Sequence, residues 1–211
     1  MASSNQVKNT VENIAKKLHE KDVQYVFAGS VSSFLQGCEI IPGDIDLLVP
    51  EAGDVHKITV ALSAFVHDNT SSLEEDIPIE EWFSTAASPV KTFTDFADNE
   101  WTFARLAADG IKLEAANIRP VTLTEYIHGS GFWENGPHVW EHVKRVPYNG
   151  LSLPVIPLEI QLETNMNRGL ESRIREICRI FRTAGYDKAL INYALSKGNI
   201  DRFYTNLNTS D

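Results

Sequence analysis

Cysteine, basic residues and long apolar runs are all scarce in this sequence of 211 residues. The two cysteines, Cys38 and Cys178, are too few for a disulfide framework or a four-cysteine zinc site, and both suit small buried positions. No apolar run approaches the roughly 18 residues of a membrane-spanning helix, and residues 1–8 lack the apolar centre of a secretory signal. We therefore expect a cytoplasmic protein without a membrane partner.

The shortage of basic residues also bears on the kind of ligand. The chain has 19 lysines and arginines against 29 aspartates and glutamates, which gives a formal net charge of −10. Broad binding to nucleic acid needs a basic surface, so a nucleic-acid partner is not expected. A nucleotide ligand remains compatible with this balance, because a bound metal ion reverses the local charge.

One stretch, Val23 to Pro50, reads as strand, bend, short helix, turn and second strand. Its sequence is VQYVFAGSVSSFLQGCEIIPGDIDLLVP. The opening residues are β-branched, aromatic or apolar and predict a buried strand, which Gly29 and Ser30 interrupt. Pro42-Gly43 is typical of a turn, and Asp44 to Val49 predicts the second strand.

The second strand carries two aspartates on one face. Side chains alternate along a strand, so Asp44 and Asp46 point the same way while Ile45 and Leu47 point to the other side. Two neighbouring carboxylates repel each other at a buried position, and a cation between them removes that cost. Mg²⁺ suits such oxygen ligands and shares them with substrate phosphates. The alternative is that Asp44 caps a turn and Asp46 is a solvated edge residue.

The bend between the strands predicts a phosphate site. Glycine lets the backbone approach a ligand closely, and the N–H groups that open the following helix favour an anion. Gly29 and Ser30 are therefore candidate phosphate-binding residues. A phosphate site beside paired carboxylates indicates nucleotide chemistry.

Gly29-Ser30 followed by Asp44-Ile45-Asp46 resembles the signature of the nucleotidyltransferase superfamily, in particular its small bacterial and archaeal members. The resemblance implies an α/β (α+β) fold with a mixed β-sheet, helices on one side and a helical C-terminal part. It implies transfer of a nucleoside monophosphate from a nucleoside triphosphate to an acceptor hydroxyl, with one or two Mg²⁺ ions on Asp44 and Asp46. A small-molecule acceptor is expected; a toxin-like enzyme that modifies protein or RNA, and a non-catalytic nucleotide-binding relative, remain alternatives.

A third carboxylate is expected on a neighbouring strand, as the resemblance implies. Asp109-Gly110 between two apolar runs predicts a hairpin. In its second strand Glu114 is an acidic residue among apolar ones, so we assign it as a third metal ligand or a general base. The alternative is an edge residue that pairs with Lys112 or Arg105.

The C-terminal third predicts helices, and its arginines are candidate phosphate ligands. Residues 157–176 resemble the helical tail of small nucleotidyltransferases, although the Lys-Asp pair found there in many members is absent. Arg168, and with it Arg173 and Arg175, suits recognition of the triphosphate. Ion pairs with Glu171 and Glu176 are the alternative.

We divide the chain at residue 120 into a nucleotidyltransferase core, 1–120, and an irregular segment plus helical part, 121–211, packed on that core. Two further segments invite a functional interpretation. The glycine-rich residues 129–137 carry aromatic side chains that can stack on a ring, unless they form a connector tucked over the core. Residues 71–81 are acidic and suit either a solvated loop or a cationic substrate.

Overall fold

The computed structural model describes residues 2–66, 78–122 and 125–208. Its centre is a seven-stranded mixed sheet in the order β3-β4-β5-β2-β1-β7-β6. The strands are β1 (Val26–Ala28), β2 (Asp44–Leu48), β3 (Lys91–Thr94), β4 (Asn99–Ala108), β5 (Ile111–Pro120), β6 (Lys144–Tyr148) and β7 (Leu151–Val155). Most of the acidic segment 71–81 lies outside the described residues.

Helices cover both faces of the sheet. They are α1 (Ser4–Glu20), α2 (Gly29–Leu35), α3 (Ala52–Ala61), α4 (Leu158–Asn167), α5 (Glu171–Ala184), α6 (Lys188–Ala194) and α7 (Lys197–Asn208), with 3-10 helices at Ser63–Phe65 and Pro137–His142. No helix within the described ranges is both long and apolar enough to cross a membrane.

Two separate cores form because strand residues alternate between the two faces. Phe27, Ile45 and Leu47 belong to the core under α1 and α3. Val26 and Leu48 belong to the other core, which is completed by the C-terminal helices. Full burial of a side chain such as Phe27 stabilises the fold by about 1.5–3 kcal/mol. This arrangement confirms the predicted fold class: a mixed sheet with α1 and α3 on one side and a helical C-terminal part on the other.

The sheet continues beyond the boundary predicted at residue 120. β7 pairs in parallel with β1, with Val155 opposite Phe27, and β6 pairs with β7. The division at residue 120 assigns these two strands to the C-terminal part, whereas they complete the central sheet. Strand patterns do not reveal this, because the partner of β7 lies near the other end of the chain.

Candidate active site

The end of β1 brings Gly29 against the side chain of Asp46. β1 and β2 are antiparallel, with Ala28 opposite Asp46. Gly29 has a φ of +57°, and a Cβ atom there would lie 2.4 Å from the Oδ2 atom of Asp46. A side chain at this position would collide with the carboxylate, so only glycine allows the backbone to pass so closely. The bend and the aspartate strand expected from the sequence are therefore in contact.

The three predicted carboxylates lie on neighbouring strands and face the same side. Asp44 and Asp46 share the face of Leu48, which packs in the core beneath the C-terminal helices. β5 runs parallel to β2 and places Glu114 level with Asp46. Asp44, Asp46 and Glu114 line one cavity of about 270 Å³, together with Gly29 and Ser30.

Two cations neutralise part of this negative charge. The Nζ atom of Lys112 lies 3.0 Å from Oε1 of Glu114 and 3.6 Å from Oδ2 of Asp44. The buried Arg105, opposite Glu114 on β4, donates from its Nε atom to the same Oε1 at 2.9 Å. The ion pairs weighed as the alternative for Glu114 are thus present. They coexist with its position beside Asp46.

Asp46 holds its proton unusually tightly. Burial raises the pKa of its carboxyl to about 8, and the charges of Asp44, Glu114 and Glu134 act in the same direction, against the opposing effect of Lys112. An anionic Asp46 is therefore unfavourable in the free protein. A positive charge entering the cavity would release the proton and stabilise the anion.

Glu134 is a fourth carboxylate at the site, and sequence reasoning missed it. It is buried and accepts a hydrogen bond from the backbone N–H of Gly29 at 3.3 Å. Burial raises the pKa of Glu134 to about 7, although the Gly29 N–H and the charges of Arg168 and Arg173 oppose this rise. A carboxylate thus sits at the N–H group expected to bind phosphate.

The glycine-rich segment that carries Glu134 is fixed to the C-terminal helices. The N–H of Phe132 donates to the carbonyl of Ala194 at 2.7 Å, and the N–H of Glu134 donates to Oγ1 of Thr164 at 3.3 Å. Phe132 is buried, whereas Trp133 remains about half exposed. The segment is therefore tucked over the core, as one interpretation predicts, and it also exposes the ring of Trp133; stacking of that ring on a ligand stays a prediction.

Arg168 and Arg173 both line the cavity. The acidic residues weighed as their partners are engaged elsewhere, since Glu171 pairs with Arg202 and Glu176 with Arg179. Within the described residues, neither Arg168 nor Arg173 forms an ion pair. Both guanidinium groups are thus available to an anion in the cavity.

The donor set suits a hard divalent cation held by two carboxylates. Asp44 and Asp46 present carboxylate oxygens on one strand face, and burial, together with the neighbouring negative charges, raises the pKa of Asp46. Within the described ranges, no group of three His, Cys, Asp or Glu side chains is arranged around a common metal position. Mg²⁺ commonly takes one or two protein carboxylates and completes its shell with water and substrate phosphates, so the pair fits it.

Only tertiary contacts show that Glu134 belongs to the site. Its contact with Gly29 spans 105 positions, and its neighbours Trp133 and Asn135 give no local periodicity that marks it. The sequence indicates Lys112 as a partner of Glu114, because the two residues share a strand face. The approach of Lys112 to Asp44, by contrast, depends on the pairing of β2 with β5. A polar residue in a glycine-rich segment is a weak signal on its own.

Comparison with known proteins gives a match in structure alone. No protein-family model matches the chain, and no curated protein matches it in sequence. The fold is similar to that of a Thermotoga maritima protein, whose crystal structure at 1.87 Å resolution is described as that of a "putative nucleotidyltransferase". The TM-score is 0.55 at 20% sequence identity, and the match covers 82% of this chain and 90% of the other. The chain therefore shares the fold of that protein.

Proposed function

We propose that this protein is a Mg²⁺-dependent nucleotidyltransferase that moves a nucleoside monophosphate from a nucleoside triphosphate to the hydroxyl of a small-molecule acceptor. The observation that carries the proposal is the contact between Gly29 and Asp46, which sets a backbone bend directly against a carboxylate pair. Arg168 and Arg173 in the same cavity add the positive charge that a triphosphate requires. The fold shared with the Thermotoga maritima protein agrees with this proposal.

Each residue has a distinct task in the proposed reaction. Asp44 and Asp46 hold Mg²⁺, which when bound offsets the charge of the triphosphate and of the attacking and leaving oxygens. Gly29 and Ser30 bind the β- and γ-phosphates after Glu134 leaves the Gly29 N–H. Much of the rate enhancement then comes from positioning the reactants.

In this proposal Glu114 acts on the acceptor. It stands on β5, across β2 from the Gly29 bend. The acceptor oxygen forms a bond to the α-phosphorus, the bond from that phosphorus to the α–β bridging oxygen breaks, and pyrophosphate leaves. Glu114 takes the hydroxyl proton as a general base; the alternative role of third metal ligand has no support in the described residues, which do not arrange three carboxylates around one metal position. The ion pairs of Glu114 with Arg105 and Lys112 use its Oε1 atom, so we assign this task to Oε2.

A second candidate function follows from Lys112. Its ammonium group lies within 4.0 Å of both Asp44 and Glu114 and compensates the carboxylates without a metal ion. This favours a relative that binds nucleotide but does not transfer it. Such a protein would bind a triphosphate and release no pyrophosphate.

The test is incubation with Mg²⁺ and each α-labelled nucleoside triphosphate, with and without candidate acceptors, while pyrophosphate release is measured. Asp46→Asn should lower the rate at least about 10³-fold, equivalent to roughly 4 kcal/mol in the barrier. Asp201→Asn, an exposed position on α7, is the matched control and should keep the full rate. If Asp46→Asn still transferred the nucleotide at a similar rate, the assignment of Asp46 to the active site would be wrong. Nucleotide binding without any pyrophosphate release would favour the second candidate.

A further inference from the structure

A second, larger cavity opens beside the candidate active site. Its volume is about 730 Å³, within the range of roughly 300–1,000 Å³ typical of small-molecule pockets. Trp101, Ile118 and Asn135 line both cavities, so the two adjoin each other. We call the larger one the aromatic groove.

The wall between the two cavities is rigid. The Nε1 atom of Trp101 donates to Oδ2 of Asp95 at 2.8 Å, and the ring of Phe93 stacks on the Trp101 ring with a centroid distance of 5.7 Å. Asp95 also accepts hydrogen bonds from Asn99 and Ala97. A ring fixed from two directions offers a preformed surface to a ligand.

The rim of the groove is apolar and exposed. Phe96 is fully exposed, Ile127 is 72% exposed and Trp133 is 48% exposed, and all three line the groove. Large apolar side chains gathered around one cavity mark a binding site more strongly than the same residues scattered singly. The groove therefore suits a ligand with an aromatic or otherwise apolar body.

The charges of the groove exclude a polyanion. Among its described lining residues none is lysine or arginine, while Asp95 and Glu125 are both acidic. Burial alone would raise the pKa of Asp95, but the hydrogen bonds from Asn99, Trp101 and Ala97 hold it at about 2, so this carboxylate stays charged. A neutral or positively charged ligand fits, and an RNA end or a second nucleotide does not.

The order of the strands assigns the groove to the acceptor. Gly29 directly follows β1, the aspartates stand on β2, Glu114 on β5 and Trp101 on β4. In the sheet these strands lie side by side in the order β1, β2, β5, β4. Attacking and leaving oxygens lie roughly in line in phosphoryl transfer. With pyrophosphate leaving at the Gly29 bend, the acceptor enters from the β5–β4 side, where the aromatic groove opens.

We infer that the aromatic groove binds the acceptor, and that this acceptor is an aromatic, neutral or cationic hydroxyl compound. The assignment of the groove to the acceptor rests on the proposed function, because it depends on the side from which pyrophosphate leaves. The existence of a binding site in the groove rests on the lining residues alone.

Three indole compounds that differ in charge test the site: tryptophol, which is neutral, tryptophanol, which is cationic, and indole-3-lactate, which is anionic. Each carries one indole ring system and one hydroxyl. Titration calorimetry with the full chain should show binding of tryptophol and tryptophanol, and about tenfold weaker binding of indole-3-lactate. Trp133→Ala should weaken tryptophol binding about tenfold through the lost ring contact. Val60→Ala, which removes an exposed apolar side chain on α3, should leave it unchanged.

A variant that removes one negative charge tests how much electrostatic attraction contributes to ligand binding in the groove. Glu125→Gln, at an exposed lining position, should reduce the preference for tryptophanol over tryptophol. Equal or tighter binding of indole-3-lactate, or tryptophol binding that Trp133→Ala does not change, would overturn the inference.

The two proposals fail in different ways. If Mg²⁺ and a nucleoside triphosphate bind and pyrophosphate is released while none of the indole compounds binds, the groove assignment is wrong and the proposed function stands. If tryptophol binds in the groove and no triphosphate binds, the nucleotidyltransferase proposal is wrong and the acceptor role is lost with it. Transfer to tryptophol whose KM rises in Trp133→Ala supports both.

Discussion

Glu134 accepts a hydrogen bond from the backbone N–H of Gly29 at 3.3 Å. This N–H is the group proposed to bind the triphosphate, so a carboxylate of the protein itself occupies the position expected for a phosphate oxygen. The charges of Arg168 and Arg173 act on the same carboxylate. Under the proposed function, a phosphate oxygen must therefore replace Glu134 at this bond.

Removing the charge of Glu134 should strengthen nucleotide binding. Glu134→Gln keeps the shape of the side chain and an acceptor oxygen for the Gly29 N–H, but it no longer repels the triphosphate. We expect the Kd for the Mg²⁺–triphosphate complex to fall about tenfold, equivalent to roughly 1.4 kcal/mol. Glu141→Gln, an exposed position in the 3-10 helix Pro137–His142, should have no effect. Weaker binding in Glu134→Gln would show that this carboxylate helps to hold the nucleotide.

Substitution of Gly29 should disturb the protein more than substitution of another glycine with a positive φ. Gly29→Ala places a Cβ atom 2.4 Å from Oδ2 of Asp46 at a φ of +57°. Gly150→Ala is the matched control, since Gly150 has a φ of +78° and nothing within 4 Å of its Cβ position. Backbone strain alone costs about 1–2 kcal/mol in either variant. Chemical denaturation should show a larger loss for Gly29→Ala, and only this variant should lose pyrophosphate release.

The two arginines of the cavity should contribute to triphosphate affinity. Arg168→Ala and Arg173→Ala each remove a charge-assisted contact, and we expect each to raise the Kd for the triphosphate about tenfold. Arg175→Ala is the control, because Arg175 lies on α5 beside Arg173 but is exposed and does not line the cavity. Direct binding measurements at two salt concentrations check this, since the contribution of charge should shrink as salt rises. An equal effect of all three substitutions would point to net charge alone.

The stability of the free protein should depend on the protonation of Asp46. A carboxyl group whose pKa is raised by folding stabilises the protein below its unfolded-state pKa, and this contribution is lost as the pH rises through the folded-state pKa. For Asp46 that window runs from 3.8 to about 8, and for Glu134 from 4.5 to about 7. The free energy of unfolding contributed by these two groups therefore falls from acid to mildly alkaline pH.

Asp46→Asn removes the larger of these two effects. At pH 8 we expect the free variant to unfold about 2–4 °C above the unsubstituted protein for each 1 kcal/mol that burial and repulsion of the Asp46 anion cost the fold. The difference should shrink towards pH 4, where Asp46 carries a proton in the folded state. Thermal unfolding at both pH values checks the effect. A variant that is less stable at pH 8 would contradict the assignment of Asp46 as a strained carboxylate.

Local patterns were sufficient for the parts of the site that lie close together in the sequence. The alternation of Asp44, Ile45 and Asp46 determines which side chains share a face, whatever the strand pairs with. The Asp109-Gly110 turn, with φ values of 52° and 77°, forms the predicted hairpin that carries Glu114. These features need only the backbone geometry of a few consecutive residues.

The tertiary structure decided everything that depends on distant partners. It put Glu134 on the Gly29 N–H, set Arg105 and Lys112 on Glu114, and completed the sheet with β6 and β7. No periodicity encodes such contacts, because they arise only when strands and helices far apart in the chain pack together. The sequence by itself therefore determined the glycine bend, the two aspartates and the fact that both aspartates point to the same face of their strand. The packing of distant elements determined the charges that surround them and the aromatic groove beside them.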